Sequence, residues 1–142
     1  MVVDASVLAS RFLEPDSNHE IAVSWLRLLA DARVNFHAPA IALAEVTAAV
    51  RRVSGDEQLA RETLGSLRQA TFIQLAEVSL ATALRAAELA ARAGLKGCDA
   101  VYVAFAEENH AFLMTLDREQ AERAAEFIPV LSPGTVPAAR GE

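Results

Sequence analysis

The sequence predicts an α/β sandwich with a mostly parallel central sheet flanked by helices, and three observations carry that reading. Short apolar runs of strand length alternate with longer stretches of helical periodicity. Strands separated by helices need crossover connections, and crossovers give parallel pairing. The 142 residues have the length of one domain, enough for a core without disulfides or a structural metal.

The elements follow in order. Residues 1–4, 34–37, 72–76, 112–115 and 128–131 read as strands, rich in Val, Ile and Phe. Between them, apolar residues recur at helical spacing. Ile21, Trp25, Leu28 and Ala32 share one face; Ala42, Glu45, Val46, Ala49, Val50 and Val53 share another. Leu59, Thr63, Leu64 and Leu67 mark a third helix, Leu80, Leu84, Ala87 and Ala91 a fourth, and Val101, Ala104, Phe105 and Glu108 a fifth. Ser54-Gly-Asp-Glu57 reads as a capping box, Ser79 as an N-cap and Gly94 as a helix stop. Residues 1–131 form one predicted domain, and the turn-rich residues 132–142 read as an extended C-terminal tail.

Composition narrows the function. Apolar residues make up 53% and charged residues 23% of the chain, which excludes a disordered segment. No apolar run approaches the ~20 residues of a membrane span. The opening Met1-Val-Val-Asp4 lacks the basic region of a signal peptide, so a cytoplasmic protein with no membrane attachment is expected. A single cysteine, Cys98, excludes an internal disulfide framework and any Cys-rich metal site. His19, His37 and His110 form no metal-binding spacing. A metal here must therefore be held by oxygen, which points to a hard ion such as Mg²⁺ or Mn²⁺. The net charge of −6 argues against a general nucleic-acid coat protein. It does not exclude a phosphodiester held at a cation, because the bound ion reverses the local sign. The chain lacks the Gly-rich phosphate loops and the nucleophile elbow of common nucleotide-binding and hydrolase folds.

In an open parallel sheet, ligands bind beyond the carboxyl ends of the strands. Three of the six aspartates fall there: Asp4 after the first strand, Asp117 after the fourth, and Asp99 at the start of the fifth helix. Glu45 lies on an apolar helical stripe, where an unpaired carboxylate is costly and a cation removes the cost. Each acid alone has a plainer explanation. Asp99 and Asp117 suit N-caps, Asp4 suits an Asx-turn, and Glu45 suits an ion pair with Arg51 or Arg52 of a neighbour. Together they have none, since acids gathered at one edge repel by several kcal/mol at an effective dielectric near ~20. A phosphatase or receiver-like reading requires a lysine late in the chain, and the only lysine is Lys96.

Four segments taken in order resemble the PIN-domain family, and within it the VapC-type ribonuclease toxins of prokaryotic toxin–antitoxin pairs. They are Val3-Asp4-Ala-Ser6-Val-Leu8, Ala44-Glu45-Val46, Leu95-Lys96-Gly-Cys98-Asp99-Ala-Val-Tyr102-Val-Ala-Phe-Ala106, and Leu113-Met-Thr115-Leu-Asp117-Arg118. The resemblance covers nearly the whole chain and implies a PIN-like three-layer sandwich. It implies a Mg²⁺- or Mn²⁺-dependent endoribonuclease whose products carry 5′-phosphate and 3′-hydroxyl ends. Asp4, Asp99 and Asp117 are then the metal ligands, directly or through water, and Glu45 is a further ligand or the base that orients water. Ser6 and Thr115 are expected to hydrogen-bond the ligands. Arg11, Arg51, Arg52, Lys96 and Arg118 are expected to contact RNA phosphates. The resemblance also implies an antitoxin partner covering the crevice, and a homodimer. Glu119 and Glu122 lie near enough in sequence to Asp117 to assist. Gln120 departs from the family pattern, standing at a usually apolar position, and a change in packing of the last helix is expected there. The alternative is a catalytically inactive PIN-like module that binds RNA or a protein.

Overall fold

The structure, a computed structural model, describes residues 1–14 and 16–133. Past Pro133, the expected tail lies outside the described residues. The elements run β1 (Val2–Val3), α1 (Ala5–Phe12), α2 (His19–Asp31), β2 (Phe36–Pro39), α3 (Ala42–Ser54) and α4 (Glu57–Gln69). They continue with β3 (Ile73–Ala76), α5 (Leu80–Ala93), α6 (Gly97–Glu108), β4 (Leu113–Met114), α7 (Arg118–Ala124) and β5 (Val130–Leu131).

The five strands form one sheet in the order β3-β2-β1-β4-β5, and every pairing is parallel. From β1 the chain moves outward to β2 and β3, then returns to the other side of β1 as β4 and β5. The order therefore reverses between β1 and β4. Right-handed crossovers put the helices of the outward path on one face and those of the return path on the other. The packing agrees: α1 to α4 contact one another, while α5 packs on α6, which lies against β1, β2 and β4. This is the predicted three-layer sandwich.

The central strands are closed in from both faces, so they carry no polar alternation. Val2, Val3, Leu113 and Met114 are fully buried. Helix α6 is buried nearly all round from Tyr102 to Ala106, which is why its sequence shows little amphipathic contrast. Gly94, at φ +65°, ends α5 as expected, and a Cβ there would meet Arg123 Nη1 at 2.6 Å.

Two local readings are corrected. The cap of α4 is Asp56, whose carboxylate accepts from the Gln58 and Leu59 amides, and Ser54 is the last residue of α3. Gly55 in the left-handed region separates the two helices, and the Ser54 hydroxyl donates back to the Val50 carbonyl and accepts from the amide of Asp56 itself, leaving the Gln58 and Leu59 amides to Asp56. Residues 5–12, not read as a helix, form α1 directly after β1 with no turn residue between. Asp4 makes this possible because it ends the strand and caps the helix, accepting from the Ser6 amide.

Candidate active site

The carboxyl edge of the sheet is where four helices begin. Asp4 caps α1, Asp117 caps α7, Asp99 is the third residue of α6, and Glu45 is in the first turn of α3. Each acid thus sits at the positive end of a helix, which favours its charge. All four line one cleft of about 470 Å³, together with Ser6, Arg52 and a wall of alanines. The alanines, from α1 and α3, are short enough to leave the cleft open. The crevice thus lies at the switch between β1 and β4, where an open parallel sheet binds its ligands.

Asp4 is nearly buried, at 5% exposure, and is held from several sides. Its Oδ2 accepts from the Ser6 amide at 2.9 Å and lies 3.3 Å from Thr115 Oγ1. Its Oδ1 accepts from the Gln120 side-chain amide at 3.2 Å. Thr115 in turn donates to Gln120 Oε1 at 2.6 Å and accepts from the Asp117 amide at 3.0 Å. Ser6 Oγ accepts from the Leu116 amide at 3.0 Å. Ser6 and Thr115 therefore stand where the sequence puts them, beside the first ligand candidate. The β1–β4 pairing makes this possible, because it lays residues about 110 apart in sequence side by side. Asp117 accepts from the Gln120 amide as an N-cap.

Glu45 and Asp99 are anchored differently. Asp99 is not an N-cap, since Lys96 holds that position, and its carboxylate has no hydrogen-bond partner among the described residues. Burial, then the charges of Asp4 and Asp117, push its pKa up to about 6, against the pull of Lys96. Glu45 pairs with neither Arg51 nor Arg52, and its Oε2 is buried without a partner. Burial raises the Glu45 pKa, opposed by the neighbouring Tyr102 hydroxyl, and the Asp4 charge raises it further. The Tyr102 hydroxyl lies alongside but completes no hydrogen bond, and burial with the Asp4 and Glu45 charges keeps it protonated. Burial and Glu45 likewise push the exposed Cys98 thiol up, away from thiolate chemistry.

The basic residues divide. Arg52 lines the cleft, and Lys96 is close enough to act on Asp99. Arg11 instead stacks on Phe72, at 4.4 Å from the ring centre, and lines a separate cavity. Arg51 lines a cleft between α3 and α4, and Arg118 pairs with Glu122 at 2.7 Å. Glu119 is held by Arg123 at 2.7 Å, so neither later glutamate lines the cleft. The residue that sequence reasoning undervalued is Gln120. It is 1% exposed, and it was legible only as a polar residue in an apolar place.

As the side chains stand, no three His, Cys, Asp or Glu residues among the described ones are close enough to share a metal ion directly. The donor set nevertheless fits a small hard cation. It is all oxygen, it includes a buried Glu45 oxygen without a partner among the described residues, and it holds a carboxyl raised by burial and then by its anionic neighbours. Such ions keep several waters and bind few carboxylates directly.

These features define a class: a parallel α/β domain whose candidate site is an acid-lined crevice at the switch point of its sheet. The PIN domain model matches residues 1–126, and the chain belongs to that family. No curated protein sequence matches it. Among solved structures it is similar to VapC20 of Mycobacterium tuberculosis, described as a sarcin-ricin loop cleaving toxin, at TM-score 0.74 and 21% identity over 89% of this chain and 95% of that one. It is also similar to a chain of FitAcB from Neisseria gonorrhoeae, at TM-score 0.64 and 20% identity over 95% and 99% of the two chains. A third is a chain of VapBC2 from Rickettsia felis, solved with a promoter DNA fragment, at TM-score 0.65 and 15% identity over 92% and 96%. No helix among the described residues is long and apolar enough to cross a membrane.

Proposed function

We propose that this protein is a Mg²⁺- or Mn²⁺-dependent endoribonuclease, the toxin of a VapBC-type toxin–antitoxin module. The observation that carries the reading is the convergence of Asp4, Glu45, Asp99 and Asp117 on one cleft, where burial, and after it the charges of Asp4 and Asp117, raise Asp99 to about 6. Carboxylates that line one cleft repel one another, and a cation between them offsets that repulsion. Membership of the PIN family and the likeness to VapC20, a toxin that cleaves RNA, support the substrate class.

Asp4, Asp99 and Asp117 are the residues that would hold the ion, with Glu45 as a further ligand. When bound, the ion supplies acidified water and offsets charge on the phosphodiester. The chain does the rest. Ser6, Thr115 and Gln120 fix the plane of the Asp4 carboxylate. Glu45, with its free Oε2, accepts a proton from attacking water and orients it. Arg52 and Lys96, the two cations beside the acids, take phosphate oxygens.

The antitoxin reading rests on a second surface. An apolar cleft of about 490 Å³ between α3 and α4 adjoins the acid-lined one through Ala44 and Ala48, which line both. An apolar helix laid there would reach the edge of the active site, which suits a small antitoxin. A homodimer and a cytoplasmic location complete the reading.

The test is incubation of purified protein with total RNA and Mg²⁺, with and without a chelator, beside Asp99→Asn. Endonucleolytic fragments that need the ion, and that the variant does not produce, are expected. Cleavage that persists in excess chelator removes the mechanism. RNA bound but left uncut with Mg²⁺ present identifies an inactive binding module instead.

A further inference from the structure

We infer that Gln120 is a positioning residue for the candidate metal ligand Asp4, an inference that rests on the metal-site reading above. The argument begins with proton counting. Thr115 has one hydroxyl hydrogen and three acceptors in reach: Gln120 Oε1 at 2.6 Å, and Asp4 Oδ2 and Ser6 Oγ each at 3.3 Å. The shorter contact takes the hydrogen. Thr115, the expected support of Asp4, therefore spends its proton on Gln120. Gln120 passes the support on through its amide, which donates to Asp4 Oδ1 at 3.2 Å.

Three features make this more than a packed side chain. Gln120 is almost fully buried, where an amide without partners would be costly, and both ends of its amide are engaged within the site's own network. The two ends fix its orientation, because turning the amide over would set Oε1 against Asp4 Oδ1, and a carboxylate oxygen only accepts. Its main-chain amide also caps onto Asp117, so one residue touches two ligand candidates. Occupying Oδ1 from one direction leaves the remaining lone pairs of Asp4 aimed at the cleft. An apolar residue at this position would free Oδ1 to rotate and would release the Thr115 hydrogen to Oδ2.

Gln120→Met keeps length and volume and leaves no buried donor stranded, since Thr115 can turn to Asp4. Calorimetric titration with Mn²⁺ alone, well below the melting temperature of either protein, should show a Kd about tenfold higher for the variant, the scale of outer-shell losses. A role limited to packing would lower the melting temperature and leave that Kd unmoved. A second measurement needs no variant. In the ¹⁵N spectrum of the wild-type protein, the Gln120 side-chain NH₂ pair should shift as Mg²⁺ saturates the site. An unchanged or lower Kd in Gln120→Met, or a Gln120 NH₂ signal that stays put while Mg²⁺ binds, overturns the inference and leaves the metal site standing. A wild-type protein that binds neither ion overturns the metal-site reading itself, and this inference with it.

Discussion

Asp4 and Asp117 follow strands, whereas Glu45 and Asp99 lie within helices, and the fold treats the two pairs in opposite ways. The strand-end acids are tied down, Asp4 by Ser6, Thr115 and Gln120, and Asp117 by its cap to Gln120. The helix-borne acids are half-buried with like charge beside them, and Glu45 Oε2 and the Asp99 carboxylate have no hydrogen-bond partner among the described residues. One pair stabilises the fold by being there; the other is carried against a penalty. The difference teaches that acids gathered at one cleft need not be energetically uniform. A group kept at a cost, with a raised pKa, is the stronger mark of a functional site.

Substitutions should separate the pairs. The largest effect is on activity: Asp4→Asn and Asp99→Asn should each lower RNA cleavage at least about 100-fold, measured as initial rates in saturating Mg²⁺. Equal activity of either variant and wild type would break the grouping of all four acids into one site. Stability should then divide them. Asp4→Asn sets a side-chain NH₂ against either the Gln120 NH₂ or the Ser6 N–H, donor to donor, and should destabilise the metal-free protein by about 2 kcal/mol in urea denaturation. Asp99→Asn removes a repelled charge and should raise the melting temperature of the same metal-free protein at neutral pH. A fall in both would erase the contrast.

The pH dependence sharpens it further. Asp99 stands at about 6 in the folded chain against 3.8 as a free side chain. The folded state thus keeps a proton that the unfolded state gives up between those values. The Asp99 contribution to stability is greatest below the lower value and falls as pH rises through the window, flattening above about 6. Thermal melts of metal-free wild type and Asp99→Asn between pH 4 and 7 should diverge in that direction, and parallel curves would contradict it. The smallest expected effect lies outside the cleft. Arg85 on α5 bridges both oxygens of Glu107 on α6, at 2.6 and 2.9 Å. Arg85→Ala should cost under about 1 kcal/mol, given the partial exposure of the pair, and leave cleavage rates alone.

Much of this arrangement is legible in the sequence, for physical reasons. Alternating periods fix the parallel architecture, and the rule that ligands gather at strand carboxyl ends selects Asp4, Asp99 and Asp117 from six aspartates. Glu45 is visible because a carboxylate on an apolar stripe is out of place. The rest is hidden where one residue serves two elements or where contacts are long-range. Helix α1 buries Val7, Leu8, Ala9 and Ser10 in succession, so it shows no amphipathic period. Strand edges are shorter than the apolar runs because pairing stops where a neighbour ends: Leu113–Met114 pairs with Val130–Leu131 and no further. Gln120 reads as an oddity until the sheet brings Asp4 across from the far end of the chain. The arginines are the least legible, since a surface guanidinium carries no positional signal, and Arg11 is settled on Phe72 instead.

The pairing of β1 with β4 also sets the order in which the cleft can assemble. Thr115, the hydroxyl neighbour of Asp4, follows it by 111 residues along the chain. A nascent chain that has not yet released Asp117 and Gln120 has an incomplete, unbraced cleft, so the four acids cannot come together before β4 and α7 are made.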